Sequence, residues 1–151
     1  DELFEVRKIL EGAAIQKVAR KITPDLVDGL KDLIRKQRAA LKTADVKRNE
    51  MLDDAFHRTL YNAVANDTLI SLIFANWERI KQARCASTVS PEHGTAWVAE
   101  SVKRHTLVLD ALEKRDGNQA YRMIVKNIEG SRQEITACLE EMGWIESDNQ
   151  T

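Results

Sequence analysis

The sequence is poor in the residues that break helices and in those that staple chains. Of its 151 residues only two are proline and six glycine. That is too little turn chemistry for many short strands, and with 31% charged residues the profile suits long helices. Two cysteines, Cys85 and Cys138, argue against a disulfide framework and read as reduced, partly buried thiols. Neither sign of charge is in useful excess: the formal net charge of -1 gives no bulk electrostatic reason to expect a nucleic-acid or membrane surface. No apolar run approaches the roughly 20 residues that span a bilayer, and the start does not resemble a signal. A cytoplasmic location is therefore the expectation. The chain fits one domain, long enough to bury roughly two thirds of its unfolded surface. It begins with Asp1 rather than Met, which suggests that an upstream segment has been removed.

Apolar residues recur at helical spacing through most of the chain. Residues 1–22 carry Leu3, Leu10, Ala14 and Val18 on one face, with Glu2 and Glu5 in the first turn, where the helix dipole favours acids. Thr23-Pro24-Asp25 reads as an N-cap, a proline at the first helical position and an early acid. The helix it opens runs to about residue 42, with Leu26, Leu30, Leu33, Ile34 and Leu41 inside and Lys31, Arg35, Lys36 and Arg38 on a solvated face. Asp45 caps a third helix ending near residues 65–66, and Asn66 or Asp67 caps a fourth. The fourth contains Leu69, Ile70, Leu72, Ile73, Phe74, Trp77 and Ile80, a density that predicts a central, largely buried helix. Residues 85–95, CASTVSPEHGT, read as a loop carrying an exposed His93. A fifth helix is expected over 96–114, then a tight turn at 115–118, a sixth helix over 118–142 ended by Gly143, and a frayed polar tail.

Several polar side chains interrupt the apolar faces. In MLDDAFHRTLYNAV, residues 51–64, Asp53, His57, Leu60 and Val64 share a face, whereas Asp54 and Arg58 form an i,i+4 pair on the outer side. Arg7 falls on the 3, 7, 10, 14 stripe of the first helix, so its guanidinium either leans inward or snorkels out along its stem. Ser101 and His105 lie on the inner face of the fifth helix, and Asn127 and Ser131 at the edge of that of the sixth. Unpaired buried charge costs several kcal/mol, so such residues persist only with partners. A carboxylate and imidazoles suit a divalent transition metal, and the i,i+4 spacing of Asp53 and His57 lets both reach one ion. Arg7, with its planar fork, suits the far end of a carboxylate ligand. Two other readings stay open. In one, Asp53, His57 and His105 bond to one another or to an effector without metal. In the other, a mononuclear metal-dependent hydrolase uses metal-bound water, although no general base is evident beside the presumed ligands. Paired Glu-x-x-His motifs of the di-iron kind are not found on inner faces.

The segments ELFEVRKILEGAA, DDAFHRTLYNAVAND and SVKRHTLVLDALEKRDGNQA together resemble the FCD domain, the C-terminal effector-sensing domain of GntR-superfamily transcriptional regulators in the FadR subfamily. The resemblance covers nearly the whole chain, 1–151, and implies an all-α fold, an antiparallel bundle of six or seven helices. It implies no enzymatic activity. In that family one Asp and three His hold a metal beside which a small organic acid binds, and the pattern maps onto Asp53, His57 and His105. The third histidine is expected 22 positions after His105, where this sequence has Asn127. An asparagine oxygen is a poorer ligand than imidazole for zinc or nickel, the metals expected here, so Asn127 is either a fourth ligand or a hydrogen-bonding group for the effector. Arg7 and Ser101 are the other expected effector contacts. The resemblance further implies a homodimer and a small carboxylate effector. DNA would be reached only through an N-terminal winged helix-turn-helix, which these 151 residues do not include.

Overall fold

The computed structural model describes the backbone of residues 1–87 and 91–145, and the side chains among them outside 82–94. Six helices account for nearly all of this: α1 Glu2–Lys21, α2 Pro24–Lys42, α3 Val46–Asn62, α4 Asp67–Ser87, α5 Pro91–Glu113 and α6 Gly117–Glu141. No strand occurs among the described residues, and the fold is the expected all-α bundle. None of these helices is long and apolar enough to cross a membrane.

The boundaries follow from local chemistry. Thr23 Oγ1 accepts from Leu26 N at the start of α2, Asp45 Oδ1 from Arg48 N at the start of α3, and Asp116 Oδ1 from Gln119 N at the start of α6. Asn66 rather than Asp67 caps α4, its Oδ1 accepting from Leu69 N at 3.0 Å. Three helix exits turn through left-handed residues that are not glycine, Ala44, Ala65 and Arg115. At two of them a six-to-one bond closes the turn, Asp45 N to Ala40 O and Asp116 N to Ala111 O.

Four expectations need correction. The third helix stops at Asn62, a few residues early, because the chain reverses through Ala65 to let Asn66 cap the next helix. The loop expected over 85–95 shrinks: α4 continues through Ser87 and α5 starts at Pro91, since proline at a first helical position is preorganised and lacks only a donor that would be unpaired there anyway. The turn at 115–118 is likewise shorter, with Asp116 as cap and Gly117 already helical. The fourth helix is not central. It packs on α1 and α6 and buries Ile73, Asn76, Trp77 and Ile80, but leaves Leu72 52% exposed. Density of apolar residues told of a packed helix; only its neighbours decide how many sides are covered. The side chains of Cys85 and His93 and the tail after residue 145 lie outside the described residues.

Helices do not pack in chain order. α1 lies against α4 and α6, α2 against α3 and α5, and α5 against α6. α1, α3 and α5 also meet one another, so the inner faces of α1, α3, α5 and α6 converge on one interior region. Phe56, Leu60, Ile15, Leu112, Ile124 and Ile128 are fully buried around it. Outside, Arg58 pairs with Asp54 at 3.5 Å as the spacing predicts, and its guanidinium lies over the Phe74 ring.

Candidate functional site

A seam of polar side chains runs through that interior. Arg7, Asp53, His57, Ser101, His105 and Asn127 are all buried, His105 completely, so the structure brings every expected site residue inward. Arg7 does not snorkel.

At one end of the seam, Arg7 Nε donates to Glu11 Oε1 at 2.6 Å and its Nη2 to Oε2 at 3.4 Å. Trp77 Nε1 donates to Oε1 at 2.8 Å and the Tyr61 hydroxyl to Oε2 at 2.5 Å. Burial works against the Arg7 charge, but the Glu11 charge and hydrogen bonds outweigh it and raise the guanidinium pKa. Burial, then the Glu11 carboxylate, push the Tyr61 hydroxyl well above its usual range. Glu11 was missed by the sequence reading, yet it stands i+4 from Arg7 on the same stripe, the ordinary signature of a paired charge.

At the other end, Asp53, His57 and His105 present ligand atoms within 4.8 Å of one another. His57 Nε2 and His105 Nε2 are 3.0 Å apart, and Asp53 Oδ1 is 3.4 Å from His105 Nε2. Ser101 Oγ donates to Asp53 Oδ1 at 2.8 Å. Gln37 Oε1 lies 3.1 Å from His105 Nδ1. An amide oxygen only accepts, so in the tautomer with Nδ1–H bonded to Gln37 a neutral His105 offers the lone pair of Nε2 to the cluster. Such an outer carbonyl partner is what orients a metal-binding imidazole. Phe56 stacks on the His105 ring at 4.0 Å, and Trp77 meets the His57 ring edge-on at 4.7 Å, which fixes both ring planes. Gln37 was also missed from sequence, although it falls on the 30, 34, 37, 41 stripe of α2; nothing in that spacing points to a histidine 68 residues away.

Against Asp53 and His57 lies a cavity of about 10 Å³, lined also by Arg7, Ser101, Arg104 and Asn127, among others, but not by His105. That is about the space of one water or one ion. Asn127 is turned toward α5 instead: its Oδ1 accepts from Arg104 Nε at 3.2 Å. Arg104, also missed from sequence, forms a bidentate pair with Glu134 at 2.8 and 3.0 Å. The donor set fits a divalent transition metal. One carboxylate and two imidazoles bring their ligand atoms together, and the separations of 3.0 and 3.4 Å are ones that two bonds of about 2.0–2.2 Å each can span.

The model of the FCD domain family matches residues 2–130. The chain belongs to the FCD domain family. Two solved structures share this FCD fold. E. coli McbR/YncC aligns with a TM-score of 0.79 at 20% identity, over 94% of this chain and 65% of that one. Streptococcus agalactiae GntR aligns with a TM-score of 0.67 at 24% identity, over 87% of this chain and 57% of that one. The FCD chain thus spans about two thirds or less of the length of these relatives. No curated protein matches the sequence.

Proposed function

We propose that this FCD domain is the effector-sensing part of a GntR-type transcriptional regulator, cytoplasmic and homodimeric, which binds a small organic acid at or beside a buried divalent metal. The observation that carries the reading is the convergence of Asp53 Oδ1, His57 Nε2 and His105 Nε2 on one another, beside an atom-sized cavity that Asp53 and His57 line, inside a domain of this family. Asp53, His57 and His105 would hold the ion, zinc or nickel by the softness of two imidazoles. Asn127 lines the same cavity and keeps an oxygen lone pair beyond the one Arg104 uses, so it can serve as a further ligand or bond the effector. When bound, the metal would supply positive charge and free coordination positions for an acid.

The protein's own side chains do the rest. Ser101 holds Asp53 in place, Gln37 bonds His105 Nδ1, and Arg7, paired with Glu11, lines the cavity wall where a guanidinium N–H can meet an incoming carboxylate. Because α1, α3, α5 and α6 all reach the cavity, an effector that prefers one arrangement of these helices shifts the equilibrium toward it, by no more than its difference in affinity. An attached DNA-binding domain would read that shift.

A metal-free reading is supported by one contact. With His105 Nε2 unprotonated, His57 Nε2–H can donate to it across the 3.0 Å gap, and the cluster is then satisfied without an ion. Metal analysis of the purified domain by inductively coupled plasma mass spectrometry, with thermal-shift titrations of zinc and nickel after chelation, separates the two. Near one metal per chain and a midpoint that rises on adding it back, in the native domain but not in Asp53→Asn, supports the metal site; about 2.7 kcal/mol is expected at free metal about 100-fold above Kd. No metal and no shift would leave the metal-free network.

A further inference from the structure

The cavity beside the candidate metal site is too small for an organic acid, so admitting one requires some part of its wall to open. One part of the wall is built differently from the rest. Trp97 lines both the cavity and a groove of about 240 Å³ between α5 and α6, whose other walls include Ala96, Ala137 and Cys138. Beside Trp97 the partition is an ion pair: Arg104 belongs to the cavity, Glu134 to the groove. Arg104 lies across Gly130 of α6, where an added Cβ would come within 2.7 Å of its Nη1. A glycine inside a helix is unfavourable relative to alanine, and here it leaves the space the guanidinium occupies.

We propose that Arg104 is the anchor for a second carboxylate of the effector, and that Glu134 is the group this carboxylate displaces, so that the domain selects dicarboxylic over monocarboxylic acids. The inference rests on the cavity being the acid site.

Charge balance leads to it. Asp53 and a divalent ion together leave one positive charge, which one carboxylate neutralises; a second needs another cation. Arg7 is committed to Glu11, whose oxygens also receive Tyr61 and Trp77 and whose side chain is 1% exposed. Arg104 is held by a carboxylate that is 25% exposed and can swing out through the groove into water. Burial pushes the Glu134 carboxyl up in pKa even with Arg104 bonded, so its ionised form gains from returning to solvent. A ligand carboxylate offers Arg104 the same two-oxygen geometry. The exchange conserves charge at the guanidinium and joins the cavity to the groove.

Isothermal titration of the zinc-loaded domain with succinate and with acetate tests this, repeated on the chelated domain. Succinate is expected to bind about tenfold tighter than acetate, since its second carboxylate takes over the Arg104 pair while Glu134 regains its hydration. Arg104→Gln should collapse that ratio toward one, and Glu134→Gln, which removes the competing carboxylate, should raise succinate affinity several-fold. Gly130→Ala, which favours the helix but pushes on the guanidinium, should lower the ratio without lowering the thermal midpoint. Opposite signs for Arg104→Gln and Glu134→Gln are the signature; a purely structural ion pair would make both variants weaken binding, and that result, or equal affinity for the two acids, overturns the proposal. If zinc and acetate bind but the signs do not oppose, the metal-site reading stands and this one falls. Opposite signs in the chelated domain without zinc uptake would keep Arg104 as the anchor and remove the metal. Binding of neither acid in either state sinks the proposal.

Discussion

The two ends of the buried polar seam use similar residues to opposite effect. Around Glu11, donors outnumber acceptors: Arg7, Tyr61 and Trp77 all give hydrogen bonds to one carboxylate, and the charges cancel. Around Asp53, acceptors converge: an Asp oxygen and the His105 Nε2 lone pair lie 3.4 Å apart, with the second imidazole beside them. The first cluster is closed by its own bonds. The second brings the ligand atoms of a carboxylate and two imidazoles within 4.8 Å of one another. Burial alone therefore does not distinguish the two ends; the number of hydrogen-bond donors that face each carboxylate does.

Disrupting the closed end should cost most. Glu11→Ala strands the Arg7 charge among Phe4, Trp77 and Tyr61, and breaking one side of a buried pair costs about 3–5 kcal/mol. Urea unfolding measures it; a loss under about 1 kcal/mol would mean that the pair is open to water.

At the other end the cost should fall on binding instead of folding. Gln37→Met keeps the volume but removes the acceptor that holds the His105 tautomer, and metal affinity should drop about 10–100-fold, as for other outer partners of ligating histidines. Competition with a chromophoric chelator reads the change. An unaltered affinity would show that Phe56 stacking alone orients the ring.

The smallest effect is a pH dependence of the closed end. Because the folded-state pKa of Tyr61 is raised above the ordinary 10.0, its contribution to stability is complete below about pH 10 and is lost as pH rises toward the folded value. Tyr61 should therefore ionise together with unfolding, which ultraviolet difference spectra and circular dichroism followed side by side would show as coincident transitions. Tyr61→Phe should remove this alkaline slope, at a cost of about 1.5–3 kcal/mol for the bond to a charged partner.

Much of this molecule is local information, and local information is legible. Thr23-Pro24 and Asp45 mark helix starts because a cap needs only its own next turn, and the six-helix count follows from such signals with apolar periodicity. The inward aim of Arg7, Asp53, His57, Ser101, His105 and Asn127 was legible for the same reason: a stripe fixes a side chain's direction before any partner is known. The resemblance of three segments to FCD domains supplied the family, which the match over residues 2–130 bears out.

What the tertiary structure decided is who meets whom. Glu11 and Gln37 sit on their stripes in plain view, but whether a buried polar group satisfies an arginine or steers a histidine depends on helices that approach from elsewhere in the chain. The exposure of α4, the reach of Arg104 over Gly130 to Glu134, and the size of the cavity are likewise set by packing. Periodicity gives each helix an inside; only the other helices determine what that inside touches.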